Sequence, residues 1–226
     1  MLKLISSMAT RQLLAELAAQ WQRMSGVEVV IESVGGVDAA RRVQAGEAFD
    51  GVVLASDAID KLIAGSHVLT GSRVDLAQSS VAVAVKAGKL LPDISTEAAL
   101  RHAIVAAPTI GYSTGPSGVA LVKLFEKWGL LDGLQNRIVQ VPPGVPVGAL
   151  VARGEVALGF QQLSELMHLD GITVVGTLPE AAAITTVFSA GVCASSTQPE
   201  ETARFFSFMA SREVANVKQQ HGMQAI

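Results

Sequence analysis

The chain has a single cysteine, Cys193, among its 226 residues. That excludes an internal disulfide and any metal site built on several cysteines. Cys193 lies in an apolar run and reads as a small core residue. The histidines are few and scattered: His67, His102, His168 and His221 fall at no metal-ligand spacing and read as surface residues. Aromatics make up 4% of the chain and charged residues 16%, with a net charge of −3. Such a chain has no general attraction for nucleic acid or for an anionic membrane. No run of about 18 or more apolar residues is present, so no segment reads as a membrane span. A Gly-x-Ser-x-Gly nucleophile loop, a phosphate-binding lysine loop, an internal repeat and a low-complexity segment are all absent. No cofactor or metal is expected.

Half of the residues are hydrophobic, with Ala, Val, Leu and Gly dominating. This length supports one large domain or two small ones, and the composition suits helices packed closely on sheets. Strand and helix patterns alternate from the start. Strands are expected at residues 2–5, 27–31 and 51–55, and helices at 10–24, 37–45 and from 56, with Ser56 as a cap. Residues 51–55 are continuously apolar, as in a parallel strand buried on both faces. Such units build an open parallel sheet with ligands beyond the carboxyl ends of its strands.

The rhythm breaks twice. Residues 74–85 and 184–194 are long strand-like runs without helical period, and they read as two crossings between lobes. Between them the alternation resumes. A helix at 96–105 is capped by Ser95, a strand ends at Tyr112, and a loop, Ser113-Thr114-Gly115-Pro116-Ser117-Gly118, opens a further helix. Ser117 is the expected cap, and Gly115 and Gly118 are expected to let a ligand approach the backbone. A helix start exposes unpaired N–H groups and so favours an anion. Strands follow at 138–141, 156–160 and 172–175, and helices at 147–153 and 161–168. The proline-rich loop 142–146 is rigid. Thr197 to Glu200 has capping-box spacing before a helix, and a last helix spans 213–220. The fold class is α/β, with lobe I formed by residues 1–79 and 190–226 and lobe II by residues 80–189.

Particular segments carry a resemblance: Ser6-Ser7-Met8-Ala9-Thr10, the run from Ala40 to Gly46 followed by Asp50, Gly71-Ser72-Arg73-Val74, Gly115-Pro116-Ser117-Gly118, and the run from Ala149 to Phe160. With them the chain resembles the type II periplasmic solute-binding proteins. Within these it is similar to the molybdate-binding-like group, aconitate isomerase-like members included. The resemblance covers nearly the whole chain. It implies a two-lobed type II periplasmic-binding-protein fold with a ligand cleft between lobes that close by a hinge motion on a small anion. Carried over by position, the ligand-binding residues are Ser6, Ser7, Gly35, Gly36, Ser117, Gly118, Val145 beside Gly144, and Gln162 or its neighbour Gln161. Molybdate binders similarly place a tyrosine where Gln162 stands and a hydroxyl where Gly35-Gly36 stands, with Ser33 nearby. Those departures point away from molybdate and toward a larger ligand.

Two arginines join the candidate set. Arg11 lies in a first helical turn, where a cation opposes the helix dipole. Arg73 lies at the first crossing. A guanidinium grips a carboxylate through two parallel hydrogen bonds, so both favour a di- or tricarboxylate. Arg41 and Arg42 read as solvated surface charges. The leading expectation is a domain that binds a small anion, a di- or tricarboxylate. The first alternative is an aconitate isomerase that moves a double bond by a proton shift, and the second is a molybdate or oxyanion transport protein. For catalysis Ser7 and Tyr112 are the candidates, with no activating neighbour in evidence, and the base is unidentified. The partners expected are the small anion and, for a periplasmic protein, an ABC transporter. A monomer is expected. The N-terminus enters a strand directly, so the expectation is a cytoplasmic protein, or a periplasmic one from which a signal peptide has been removed.

Overall fold

A computed structural model describes residues 1–226 and divides the chain into two compact units. Unit 1 comprises Met1–Ser79 and Thr186–Ile226, and unit 2 comprises Ser80–Thr185. The second division falls at Thr185/Thr186 rather than between residues 189 and 190.

Unit 1 begins with strand β1 (Leu2–Ser7), a short 3-10 turn and helix α1 (Arg11–Ser25). Gly26 ends α1 in the left-handed conformation, φ 74°, which lets its N–H return to the Gln22 carbonyl. Strand β2 (Val29–Val34), helix α2 (Gly36–Gln44), strand β3 (Gly51–Ala55) and helix α3 (Ser56–Ala64) follow. β1 pairs in parallel with β2 on one side and with β3 on the other. Strand β4 (Val74–Lys86) starts in unit 1 and ends in unit 2.

In unit 2 the chain forms α4 (Glu97–Ala106), β5 (Ile110–Tyr112), α5 (Pro116–Lys127), the short α6 (Leu131–Leu134), β6 (Ile138–Gln140), α7 (Val147–Arg153), β7 (Leu158–Gln162), α8 (Leu163–Leu166) and β8 (Ile172–Thr177). β5 pairs in parallel with β6 and β7, while β7 and β8 run antiparallel to β4. β9 (Thr185–Val192) returns to unit 1 and runs antiparallel to β3. Helices α9 (Pro199–Ala210) and α10 (Ala215–Gln220) and the short β10 (Gln224–Ala225), which pairs the start of β4, complete unit 1.

Each unit is a sheet with helices on both faces, and strand alternation assigns the faces. In unit 1, Leu2, Leu4 and Val53 pack with α1 and α9 through Leu14, Leu17, Trp21, Phe205 and Phe206. Ile5, Val52 and Leu54 face the other way, onto Ala39 and Val43 of α2 and Ile59 and Leu62 of α3. In unit 2, Val81, Val83, Ile110 and Phe160 meet Leu100, Ile104, Leu121 and Phe125. Fully burying a side chain such as Phe125 contributes roughly 1.5–3 kcal/mol. On the opposite face α7 lies close to the sheet. A Cβ at Gly159 would stand 2.5 Å from Val151 and one at Gly111 would stand 2.9 Å from Val156, so only glycine fits there.

Several expected caps are corrected. Thr96, not Ser95, caps α4, its hydroxyl accepting from the Ala99 N–H at 3.1 Å. Ser56 is the first residue of α3 instead of its cap, and no side-chain cap hydrogen bond is made at α5 or α9. The expected helix at 161–168 is shorter, because β7 extends through Gln162. His221 is also not a plain surface residue. Its Nε2 lies 2.8 Å from Glu16 Oε2, with the imidazole 14% exposed. Cys193 is a buried core residue, as expected.

Candidate functional site

In unit 1 the parallel strands β1, β2 and β3 end together, at Ser7, Val34 and Ala55, and each is followed by a helix. Ser6 and Ser7 point to opposite sides of the strand and have different surroundings. Ser6 is fully buried and its hydroxyl lies 2.8 Å from that of Ser33, its register partner on β2. That hydroxyl is occupied within the sheet. Ser7 is 7% exposed, and its Oγ is buried with no hydrogen-bond partner. Its carbonyl accepts from the Thr10 hydroxyl at 3.0 Å, which holds the turn into α1.

Gly35 is the N-cap of α2 and Gly36 its first residue. A Cβ on Gly36 would lie 3.7 Å from the Ser7 Cβ. The unpartnered hydroxyl and the start of α2, with the free N–H groups that a helix start leaves, are therefore neighbours. A buried hydroxyl without a partner costs about 1–3 kcal/mol unless something else satisfies it. Arg11 opens α1 just past this loop, and its exposed side chain forms no ion pair or hydrogen bond.

Arg73 is different. Its guanidinium donates to both Asp60 oxygens, at 2.7 and 2.8 Å, and to Asp75 at 2.9 Å. These bonds hold its pKa above the ordinary arginine value. Its neighbour Ser72 accepts from the N–H of Val192, which is paired with Gly51 at the start of β3. The Arg73 guanidinium is thus occupied by two aspartates of its own unit, and the expectation that it is free to grip a carboxylate is corrected. Arg41 pairs with Asp38, and Arg42 with Glu32 and Glu47.

In unit 2 the carboxyl ends of β5, β6 and β7 also share one edge. After Tyr112 the chain turns through Ser113 and Thr114 into α5, with Gly115 as N-cap and Pro116 in the first turn. Ser117, 5% exposed, is inside the helix, and its hydroxyl faces that of Ser113 at 3.4 Å. Gly118 has a role other than the expected one. A Cβ there would lie 1.8 Å from the Ser113 carbonyl oxygen, so the group that approaches this glycine is the chain's own loop. Tyr112 packs partly buried against the unit 2 core, and its carbonyl accepts from Val141.

The 142–146 loop turns at Gly144, φ 80°, with the Val145 N–H bonded to the Pro142 carbonyl. Val145 is exposed. Gln161 and Gln162, both 3% exposed, end β7. Gln161 acts as a clamp. Its Oε1 accepts from the Val147 N–H at 2.8 Å, and its Nε2 donates to Glu165 Oε1 at 2.8 Å. Glu165 was not foreseen. Burial pushes its carboxyl up to about 7, against a smaller lowering by the Gln161 amide. The sequence offers only a lone glutamate in a mixed apolar stretch, because its carboxylate pairs with no nearby cation.

Three comparisons bear on this arrangement. The aconitate isomerase of a Pseudomonas species is 35% identical over 230 residues, covering 100% of this chain and 88% of that protein. The periplasmic molybdate-binding protein of Azotobacter vinelandii superposes with a TM-score of 0.83 at 23% identity, covering 100% of both chains. The sulfate-binding protein SubI of Mycobacterium tuberculosis H37Rv superposes with a TM-score of 0.82 at 16% identity, covering 100% of this chain and 86% of that one. The expected two-lobed α/β binding-protein fold is borne out by these neighbours. No helix is long and apolar enough to cross a membrane. Residues 2–224 match the profile of the bacterial extracellular solute-binding proteins, and the chain belongs to that family.

Proposed function

We propose that the chain binds a small di- or tricarboxylate at the strand-end loops of unit 1. The observation that carries this reading is the buried, unpartnered Ser7 hydroxyl beside Gly36 at the start of α2. It is a donor prepared for an oxygen that the chain does not supply. Arg11, unpaired at the neighbouring helix start, adds a guanidinium suited to a carboxylate. Gly35, the N-cap of α2, opens the same loop. Ser117, Gly118, Val145 and Gln162 belong to unit 2 and form a separate set of strand-end residues. Ser6 and Arg73 have their polar groups occupied elsewhere and are left out.

Calorimetry with citrate, cis-aconitate, trans-aconitate, molybdate and sulfate tests the reading. The expected result is binding of carboxylates, weakened about tenfold in Ser7→Ala, a loss of ~1.4 kcal/mol. Tight molybdate or sulfate binding without a carboxylate response overturns it.

The full-length likeness to an aconitate isomerase favours a second reading, in which the bound ligand is aconitate and the protein interconverts its cis and trans forms. Incubation with one isomer, followed by proton NMR, checks this. Appearance of the other isomer supports an enzyme. Binding without conversion supports a receptor, whose partner would be an ABC transporter and whose place would be the periplasm.

A further inference from the structure

From the packing of the C-terminal segment we infer that residues 215–226 dock on unit 1 through an uncharged Lys218 and are released when that amine takes up a proton. The inference is independent of what the strand-end loops bind. Lys218 lies in α10 and is 1% exposed. Its Nζ is buried without a hydrogen-bond partner, and no charged group contributes to its titration. The chain encloses it from both sides. Val214, one helical turn earlier, is buried in the unit 1 core. Met223, buried in the same core, donates its N–H to the Lys218 carbonyl at 2.9 Å.

The charged groups of the surrounding elements are paired or turned to water. α10 packs on α1, on the 3-10 turn Arg212–Val214 and on β10. In α1, Glu16 accepts from Gln20 at 3.2 Å and lies 2.8 Å from His221, while Arg11 and Arg23 are exposed. Arg212 and Glu213 are exposed, and β10 carries no charged side chain. Further off, Glu201 of α9 pairs with Arg204, Glu200 is exposed, and Asp75 of β4 pairs with Arg73. An ammonium at Lys218 has neither water nor a counter-charge, so burial lowers its pKa from the ordinary 10.5.

The segment is tied down by few bonds. β10 is two residues long, and it pairs Gln224 with Gln78 and Ala225 with Ala77. The Gln78 amide donates to the Gln224 side chain at 2.8 Å, and His221 meets Glu16. A terminal segment held in this way opens at lower cost than the whole unit. Opening takes Met223 out of the core and frees the backbone of β4 at Ala77 and Gln78, next to Ser79, where the chain leaves unit 1. The open form binds a proton at the ordinary lysine value, and the docked form binds one at a lower pH. Docking is therefore strongest above about 10.5. Between the two values the opening constant rises about tenfold for each unit that the pH falls. Protonation of His221 acts the other way, because it adds a charge to the bond with Glu16.

Hydrogen exchange read by mass spectrometry on peptides from residues 215–226, corrected for the intrinsic rate at each pH, tests this. Opening should become at least about tenfold more frequent as the pH is lowered from ~10 to ~7. Lys218→Met, of similar length and without charge, should abolish that dependence and keep the segment closed. Glu16→Gln should leave the dependence in place. Opening that is independent of pH overturns the inference, as does a pH dependence that persists in Lys218→Met. Loss of the dependence in Glu16→Gln also overturns it, because the His221 pair is then the sensor. A titration of ¹³C-labelled lysine Cε signals in the unchanged protein needs no substitution. One amine should titrate below the others, and a full set titrating near the ordinary value overturns the inference.

Discussion

Gly36 and Gly118 each stand in the first turn of a helix that follows a strand, but the space around them differs. A Cβ on Gly36 would meet Ser7 and Leu54 at ordinary distances of 3.7 and 3.8 Å. A Cβ on Gly118 would stand 1.8 Å from the Ser113 carbonyl oxygen. The helix start in unit 1 is open and lies beside an unpartnered hydroxyl, whereas the one in unit 2 is closed by its own loop. Two loops that look alike in sequence therefore do different things, one left free for a guest and the other locked by contact with itself.

The largest way to break this contrast is Gly118→Ala. The added methyl cannot fit without moving the Ser113 carbonyl, so unit 2 should lose about 3 kcal/mol of stability. The matching Gly36→Ala should stay within ~0.5 kcal/mol of the unchanged protein while still reducing carboxylate affinity. Urea unfolding and calorimetry of both variants check the pair.

A second effect separates the units by pH. Burial pushes the Glu165 carboxyl up to about 7 in the folded protein, from the ordinary glutamate value of 4.5. The folded form therefore holds a proton that the unfolded chain has already released. The resulting stability is fully present below about 4.5 and is lost as pH rises through about 7. Glu165→Gln should remove this slope. Its stability relative to the unchanged protein should increase between those pH values by on the order of 2 kcal/mol, as thermal unfolding across pH would measure. Substitutions in the Ser7–Gly36 region should leave the slope unaltered.

A smaller change sharpens the contrast. Ser7→Ala removes a buried hydroxyl that makes no bond in the protein, so the ligand-free protein should gain about 1 kcal/mol of stability while ligand affinity falls about tenfold. The smallest effects belong to the arginines. Arg73→Ala breaks ion pairs with Asp60 and Asp75 and should cost at most ~1 kcal/mol of stability, with affinity unchanged. Arg11→Ala should do the reverse, leaving stability alone and weakening carboxylate binding severalfold. Melting curves paired with titrations read both.

Much of the fold was legible in the sequence because buried parallel strands announce themselves as short apolar runs. β3 and α7 lie where expected, and β4 and β9 are the two long runs. The misses have physical causes. Thr96 displaces Ser95 as a cap because helix initiation depends on local backbone angles, which neighbouring hydroxyl residues do not distinguish in sequence. Pro116, with its fixed φ, starts α5 earlier than the glycines suggest. β10 is two residues long and has no pattern of its own. At the candidate site, Ser7 and Gly36 were visible because small residues cluster at strand ends. Glu165 was not, because its chemistry comes from burial and from Gln161. Arg73 was misread because its aspartate partners are set by folding: Asp60 lies a helix and a loop away along the chain.

The chain leaves unit 1 at Ser79 and returns to it at Thr186. A ribosome therefore completes unit 2, one continuous segment, before it has made the last strand that unit 1 requires. β3 is paired to β9 from Gly51↔Val192 to Ala55↔Phe188, so its apolar edge stays open until those residues emerge. At ~5–20 residues per second this lasts roughly ten to thirty seconds. During most of that interval unit 2 is itself still being made, and Val52, Val53 and Leu54 remain available to any passing strand. A message truncated before residue 186 should consequently yield aggregates or a chaperone-bound product instead of a smaller soluble protein.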